Sequence, residues 1–169
     1  MSSDCFHADP DRQIRGCTSI IERGNRESRK NRAIAYNNRG NAYEQKGEHD
    51  RAIADFTKAI KIKPRYAAAY NNRAWTYFRR GEPDLGLPDA ERAVELLPDN
   101  AVYLDTRGQI YAALGRREEA IADLKRALEI DPSLDETQAA LEALAPSTNK
   151  GGCKRYFPSV SMTLTVPCE

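Results

Sequence analysis

The chain has 169 residues, of which 40% are apolar and 30% charged, with a mean hydropathy of -0.71. That is one domain's worth of polypeptide or a short solenoid, too rich in apolar residues for wholesale disorder, and it contains no apolar run near the roughly 20 residues that cross a bilayer. Twenty-six Lys and Arg against 25 Asp and Glu leave a net charge of +1, which removes the broad attraction that drives nucleic-acid binding.

The opening MSSDCFHADP has neither the basic n-region nor the apolar h-region of a targeting segment. The expected location is the cytoplasm if Met1 is the native start, and the periplasm or the exterior if a leader has been removed. Residues 1–32 read as an N-terminal arm followed by a capping helix. Within them RQIRGCTSII (12–21) aligns with RAIADFTKAI (51–60), which sets Ile14, Cys17 and Ile21 under Ile53, Phe56 and Ile60. Cys5 and Cys17 are 12 residues apart, and two readings stay open for them: a disulfide tying the arm to this helix, or a buried free thiol at Cys17.

From residue 33 onward the sequence repeats every 34 residues without a gap, in blocks 33–66, 67–100 and 101–134. Small residues stand at block position 8 (Gly40, Ala74, Gly108) and position 20 (Ala52, Gly86, Ala120), and Tyr43, Tyr77 and Tyr111 share position 11. Small residues in those slots let two antiparallel helices approach closely, with the tyrosine filling the space beside them. Gly47, Gly81 and Gly115 mark the turn between the helices, and Pro64, Pro98 and Pro132 end each block. Apolar spacing of 3.6 predicts second helices in blocks 1 and 3, carried by Ile53, Phe56, Ala59 and Ile60 and by Ile121, Leu124, Ala127 and Leu128. In block 2, Pro83 is acceptable in a first turn, whereas Pro88 predicts a late-starting or kinked second helix.

Residues 135–145 read as a terminal capping helix, with Asp135 at its start and Ala139, Leu141 and Leu144 apolar. The remainder, 146–169, breaks style with Gly-Gly, three prolines, Cys153 and Cys168. It reads as an irregular or disordered tail, with the alternating run Val160, Met162, Leu164, Val166 as a strand alternative. A disulfide between Cys153 and Cys168 is possible in an oxidising compartment.

The 34-residue period with its signature slots resembles the tetratricopeptide repeat family, over three motifs and 102 of 169 residues. The family's usual Trp at position 4 is replaced by Tyr36, Tyr70 and Leu104, and its usual Leu at position 7 by Arg39, Arg73 and Arg107. The resemblance implies an all-α, right-handed superhelical solenoid of antiparallel helix pairs, with a concave groove formed by the first helix of each repeat. It places Asn37, Asn41, Asn71, Asn72, Trp75, Phe78 and Arg79 on or beside that groove. Amides there offer donors and acceptors to an extended main chain, Trp75 and Phe78 offer an aromatic anchor, and Arg79 offers a partner to a carboxylate. The competing readings are solvated surface for the asparagines and inter-helix packing for Trp75. Some members of the family hold acidic chaperone tails in a carboxylate clamp. Here the clamp positions carry Asn37, Asn41, Asn72, Val102 and Thr106, so both asparagines are present and all three cations are missing.

No Ser/His/Asp set, phosphate loop, HExxH or GxSxG appears, and Glu118 and Glu119 sit where they complement a helix dipole. The cysteines lack metal-ligand spacing, and His7 and His49 are the only histidines. The expectation is a non-catalytic scaffold without metal or cofactor that binds a protein or peptide, with neither nucleic acid nor membrane as a partner. The rival expectation is a self-assembling structural module, a homo-oligomer joined through its end faces or its tail.

Overall fold

In the computed structural model the backbone is described for residues 3–144, 153–157 and 162–166, and side chains for residues 4–144. A short 3-10 turn, Ser3–Phe6, leads into α1 (Pro10–Glu22). Three helix pairs follow: α2 (Arg29–Gln45) with α3 (His49–Ile62), α4 (Ala67–Arg79) with α5 (Pro83–Leu96), and α6 (Ala101–Ala113) with α7 (Arg117–Ile130). The last helix, α8 (Asp135–Leu144), packs on α7 and touches α6. No helix of the described residues is long and apolar enough to cross a membrane.

Each pair turns on the expected glycine. Gly47, Gly81 and Gly115 have φ of 73°, 83° and 73°, the left-handed region where a Cβ is strained. The residue after each glycine donates its N–H back to a tyrosine carbonyl (Glu48 to Tyr43, Glu82 to Tyr77, Arg116 to Tyr111) at 2.9 to 3.0 Å. This is the long bond of a Schellman motif, which satisfies carbonyls left open at the helix end. The small slots are used as expected: a Cβ built on Gly40 would lie 2.6 Å from the Phe56 ring, and one on Gly86 would lie 2.8 Å from the Ala74 carbonyl oxygen.

The core is distributed rather than central. Separate buried clusters form around Cys17 and Ile20, Tyr43 and Phe56, Ala74 and Ile110, and Leu104 and Ala127. Each repeat therefore buries its apolar face against its neighbours, as a solenoid must.

Two expectations are corrected. The second helix of block 2 does not start late: α5 begins at Pro83, the same block position at which α3 and α7 begin, and runs as one helix through Pro88. Pro83 sits in the first turn, where no N–H is required, and Pro88, five residues on, lacks the N–H that would pair with the Asp84 carbonyl, so one ladder bond is missing. The terminal helix expected over 135–145 is found as Asp135–Leu144, with Thr137 its buried residue, Leu141 and Leu144 half-buried and Ala139 exposed. In the tail, Cys153–Phe157 and Met162–Val166 pair as antiparallel strands β1 and β2, with Cys153 opposite Val166 and Phe157 opposite Met162. The proposed Cys153 to Cys168 disulfide lies outside the described residues.

At the other end Cys5 and Cys17 are joined as a disulfide, with Cα atoms 4.5 Å apart, so the free-thiol alternative is set aside. The arm seats on Gly16, where a Cβ would come 2.6 Å from the backbone of Asp4 and Cys5. It is also held by an ion pair between Arg12 and Asp4 at 2.9 Å.

Candidate functional site

Two networks of side chains run along the helix pairs. The first links the two helices of every repeat. Arg39, Arg73 and Arg107 each donate Nε and Nη2 to both oxygens of an aspartate 16 residues on (Asp55, Asp89 and Asp123) at 2.6 to 3.0 Å. Such bidentate, charge-assisted pairs fix orientation as well as charge. In the first two repeats Nη1 also donates to a threonine of the preceding helix, Arg39 to Thr18 at 2.9 Å and Arg73 to Thr57 at 2.8 Å. Burial of the Arg39 guanidinium opposes its charge, but the hydrogen bonds and charge of Asp55 outweigh it and hold the pKa above the ordinary value. The arginines at position 7 were visible as departures from the family pattern. Their partners were missed, although Asp55, Asp89 and Asp123 recur at one block position.

The second network lies between α2 and α4. Asn72 donates its side-chain N–H to Asn41 Oδ1 at 2.8 Å and to Asn37 Oδ1 at 3.2 Å. Asn37 donates to Asn38 Oδ1 at 3.4 Å, and Asn38 donates to the Cys5 carbonyl at 3.2 Å. Several of the asparagines read as ready for a ligand's main chain therefore bond first to one another. Asn71 is buried, and its Oδ1 has no partner among the described residues.

Beside this ladder is a cavity of about 200 Å³ lined by Asn41, Glu44, Gln45, Phe56, Asn72 and Trp75. Trp75 is half-buried, with its ring centroid 5.2 Å from that of Phe78 and the planes tilted by 32°. The structure thus gathers Asn41, Asn72 and Trp75 at one cavity, with Asn37 bonded to its edge. Phe78 packs instead against the Ala74, Ala90 and Ile110 cluster, and Arg79 is exposed; neither lines the cavity. Glu44 and Gln45, on the last turn of α2, complete the cavity lining beside Asn41, Asn72 and Trp75. One repeat further along, Asp105 accepts hydrogen bonds from Thr137 Oγ1 at 2.7 Å and Gln109 Nε2 at 2.8 Å, which anchors α8 over α6. Among the described residues no group of His, Cys, Asp and Glu could hold a metal ion.

Two family models, each described as tetratricopeptide repeat, match residues 33–66 and 65–133. Among solved structures, "First TPR of Spaghetti (RPAP3) bound to HSP90 peptide SRMEEVD" is 31% identical, covers 66% of this chain and 89% of its own, and has a TM-score of 0.64. The first TPR domain of human RPAP3 is likewise 31% identical, covers 66% of this chain and 88% of its own, and has a TM-score of 0.64. A fragment of MamA from Desulfovibrio magneticus RS-1 shares the fold over 85% of this chain and 78% of its own, at 20% identity and a TM-score of 0.72. The curated proteins yield no match.

Proposed function

Because the chain belongs to the tetratricopeptide repeat family, we propose that it is a non-catalytic protein-interaction scaffold that holds an extended segment of another protein in the trough formed by α2, α4 and α6. The observation that carries this reading is the cavity between α2 and α4, where Asn41, Asn72 and Trp75 meet. An indole face with amides around it is the composition of a binding anchor, giving large apolar contact with a few directional hydrogen bonds. Asn71, with its buried and unpartnered Oδ1, supplies a further acceptor along the same row. Asn37 positions the ladder, Phe78 backs the Trp75 ring, and Arg79 lies at the rim.

The neighbouring Spaghetti domain is described as bound to an acidic chaperone peptide. In this chain Val102 is exposed and Thr106 buried where a carboxylate clamp requires cations, so the segment proposed here is not an acidic tail.

The test is affinity capture from the native cell extract with wild type and an Asn41→Ala, Trp75→Ala variant of equal helicity, with retained proteins identified by mass spectrometry. The expected result is a protein held by wild type and lost by the variant. Identical retention by both baits would overturn the groove reading.

A further inference from the structure

The cavity between α2 and α4 holds a carboxylate that the asparagine ladder leaves unsatisfied. Glu44 lines it, and its Oε1 is shielded from solvent without a hydrogen-bond partner among the described residues. A carboxylate oxygen cut off from water and given no donor is costly, and native structures supply a partner in nearly every such case. The contrast with Asp55, Asp89 and Asp123 is direct, since each of those receives two N–H donors from an arginine. Among the described residues no lysine, arginine or histidine lines the Glu44 cavity.

The other walls narrow what could supply the donor. Asn41 Oδ1 takes one hydrogen bond from Asn72 and, as a carbonyl, has a second lone pair. Gln45 offers an amide oxygen, and Trp75 offers its indole ring. A carboxylate, carbonyl oxygens and an indole ring within about 200 Å³ match a flat cation with several donors. The guanidinium fits this description: it carries five N–H groups in a planar fork, pairs with a carboxylate through two bonds and stacks on aromatic rings. Further along the trough Asp105 is also without a cationic partner among the described residues, its two oxygens being held by neutral groups.

We infer that this cavity receives an arginine side chain from the segment held in the trough, its guanidinium hydrogen-bonded to Glu44 and lying on the face of Trp75. The inference rests on the groove reading and gives it a sign, since the partner brings a cation to a site built from acceptors.

Trp75 is the only tryptophan in the chain, so its emission reports directly on the cavity. The full chain is titrated with three peptide mixtures, each with randomised residues flanking a fixed centre of arginine, of citrulline (its neutral isostere) or of glutamate. The arginine mixture is expected to shift Trp75 emission and to bind about tenfold more tightly than the citrulline mixture, the ratio carried by one charge-assisted hydrogen bond. Glu44→Gln keeps the shape of the site and removes its charge, and it is expected to erase that preference without lowering the melting temperature, since a neutral amide replaces a carboxylate oxygen that has no donor among the described residues. Equal binding of arginine and citrulline, a preference that survives in Glu44→Gln, tighter binding of the glutamate mixture, or binding of none of them each overturns the inference. The capture experiment separates the two readings. A partner lost by Asn41→Ala, Trp75→Ala but kept by Glu44→Gln ends the arginine assignment and leaves the groove intact, whereas a partner kept by both ends the groove reading itself.

Discussion

The first helices of the repeats, α2, α4 and α6, carry two side-chain networks that obey different rules. Toward the paired helix every repeat does the same thing: Arg39, Arg73 and Arg107 each grip an aspartate 16 residues on. Along the trough the same period reads Asn37, Asn71, Asp105, then Asn41, Trp75, Gln109, then Glu44, Phe78, Ala112. A residue present in every block answers to something present in every block, which is the packing of one helix on its partner. A ligand meets the trough once and at one register, so only residues that break the period can single it out. In a repeat protein, then, sameness points to architecture and difference points to the site.

The sharpest way to break that comparison is to remove an aspartate from the repeated network. Asp55→Ala strands the Arg39 guanidinium in a site where the arginine and aspartate side chains are 14% and 4% exposed. Leaving one buried charge unpaired costs about 3 kcal/mol or more, read as a lower urea midpoint. Asp123→Ala is expected to cost less, because the Arg107 pair is more exposed at 21% and 11%. Equal losses would mean that burial does not set the cost.

The N-terminal end tests the same rule where the pattern lacks a member. α1 aligns with the second helices, but among the described residues only the 3-10 turn Ser3–Phe6 precedes it, and Gly16 stands where Asp55 stands in repeat 1. The arm fills the vacant place and the Cys5 to Cys17 disulfide holds it there. Replacing both cysteines by alanine is expected to cost about 2 to 3 kcal/mol in the chain-entropy account. Hydrogen exchange should place the loosening in α1 and the start of α2, and uniform loosening would refute a local cap.

On the trough side the expected stability effects are smaller. Asn72→Ala removes two neutral hydrogen bonds from a half-buried site and should cost about 1 kcal/mol, well below Asp55→Ala, while changing binding more than stability. A loss as large as that of Asp55→Ala would make the asparagine ladder architectural after all.

The smallest effect is expected from the surface pair of Lys46 and Asp11, 2.5 Å apart. Its hydrogen bond to Lys46, and then the lysine's charge, hold the Asp11 carboxyl below its ordinary 3.8. A carboxyl held low in the folded state binds fewer protons there than in the unfolded chain. Its contribution is therefore present above pH 3.8 and is lost as the pH falls below that, through the folded value. NMR titration of Asp11 should show the low value, and Lys46→Ala should return it upward with little change in melting temperature.

Much of the fold was legible because its causes are local. The turn glycines, the small slots and the prolyl stops each act within one helix or one turn, so spacing alone located them. Pro88 misled only as to where α5 starts: Pro83 is accommodated in the first turn, so the helix begins at the usual block position and takes Pro88 into its interior. The Arg and Asp pairs left a readable signal, two residue types recurring at fixed block positions, that was half used. The cavity was legible only as a row of candidates. Asn41, Glu44 and Gln45 on α2 meet Asn72 and Trp75 on α4 because of how far one first helix slides along the next.

What the sequence determined by itself is the repeat: its 34-residue period, its paired helices, its turns and the family to which it belongs. These follow from backbone preference and from apolar period, which act over a few residues. Only the tertiary structure decided which polar groups satisfy one another and which are left without a partner. It turned several asparagines inward onto a ladder, packed Phe78 against a core cluster, left Arg79 at the surface and shielded one oxygen of Glu44 without a donor among the described residues. Those outcomes depend on distances between side chains some 30 positions apart in the chain, which are set by helix packing and not by any local preference.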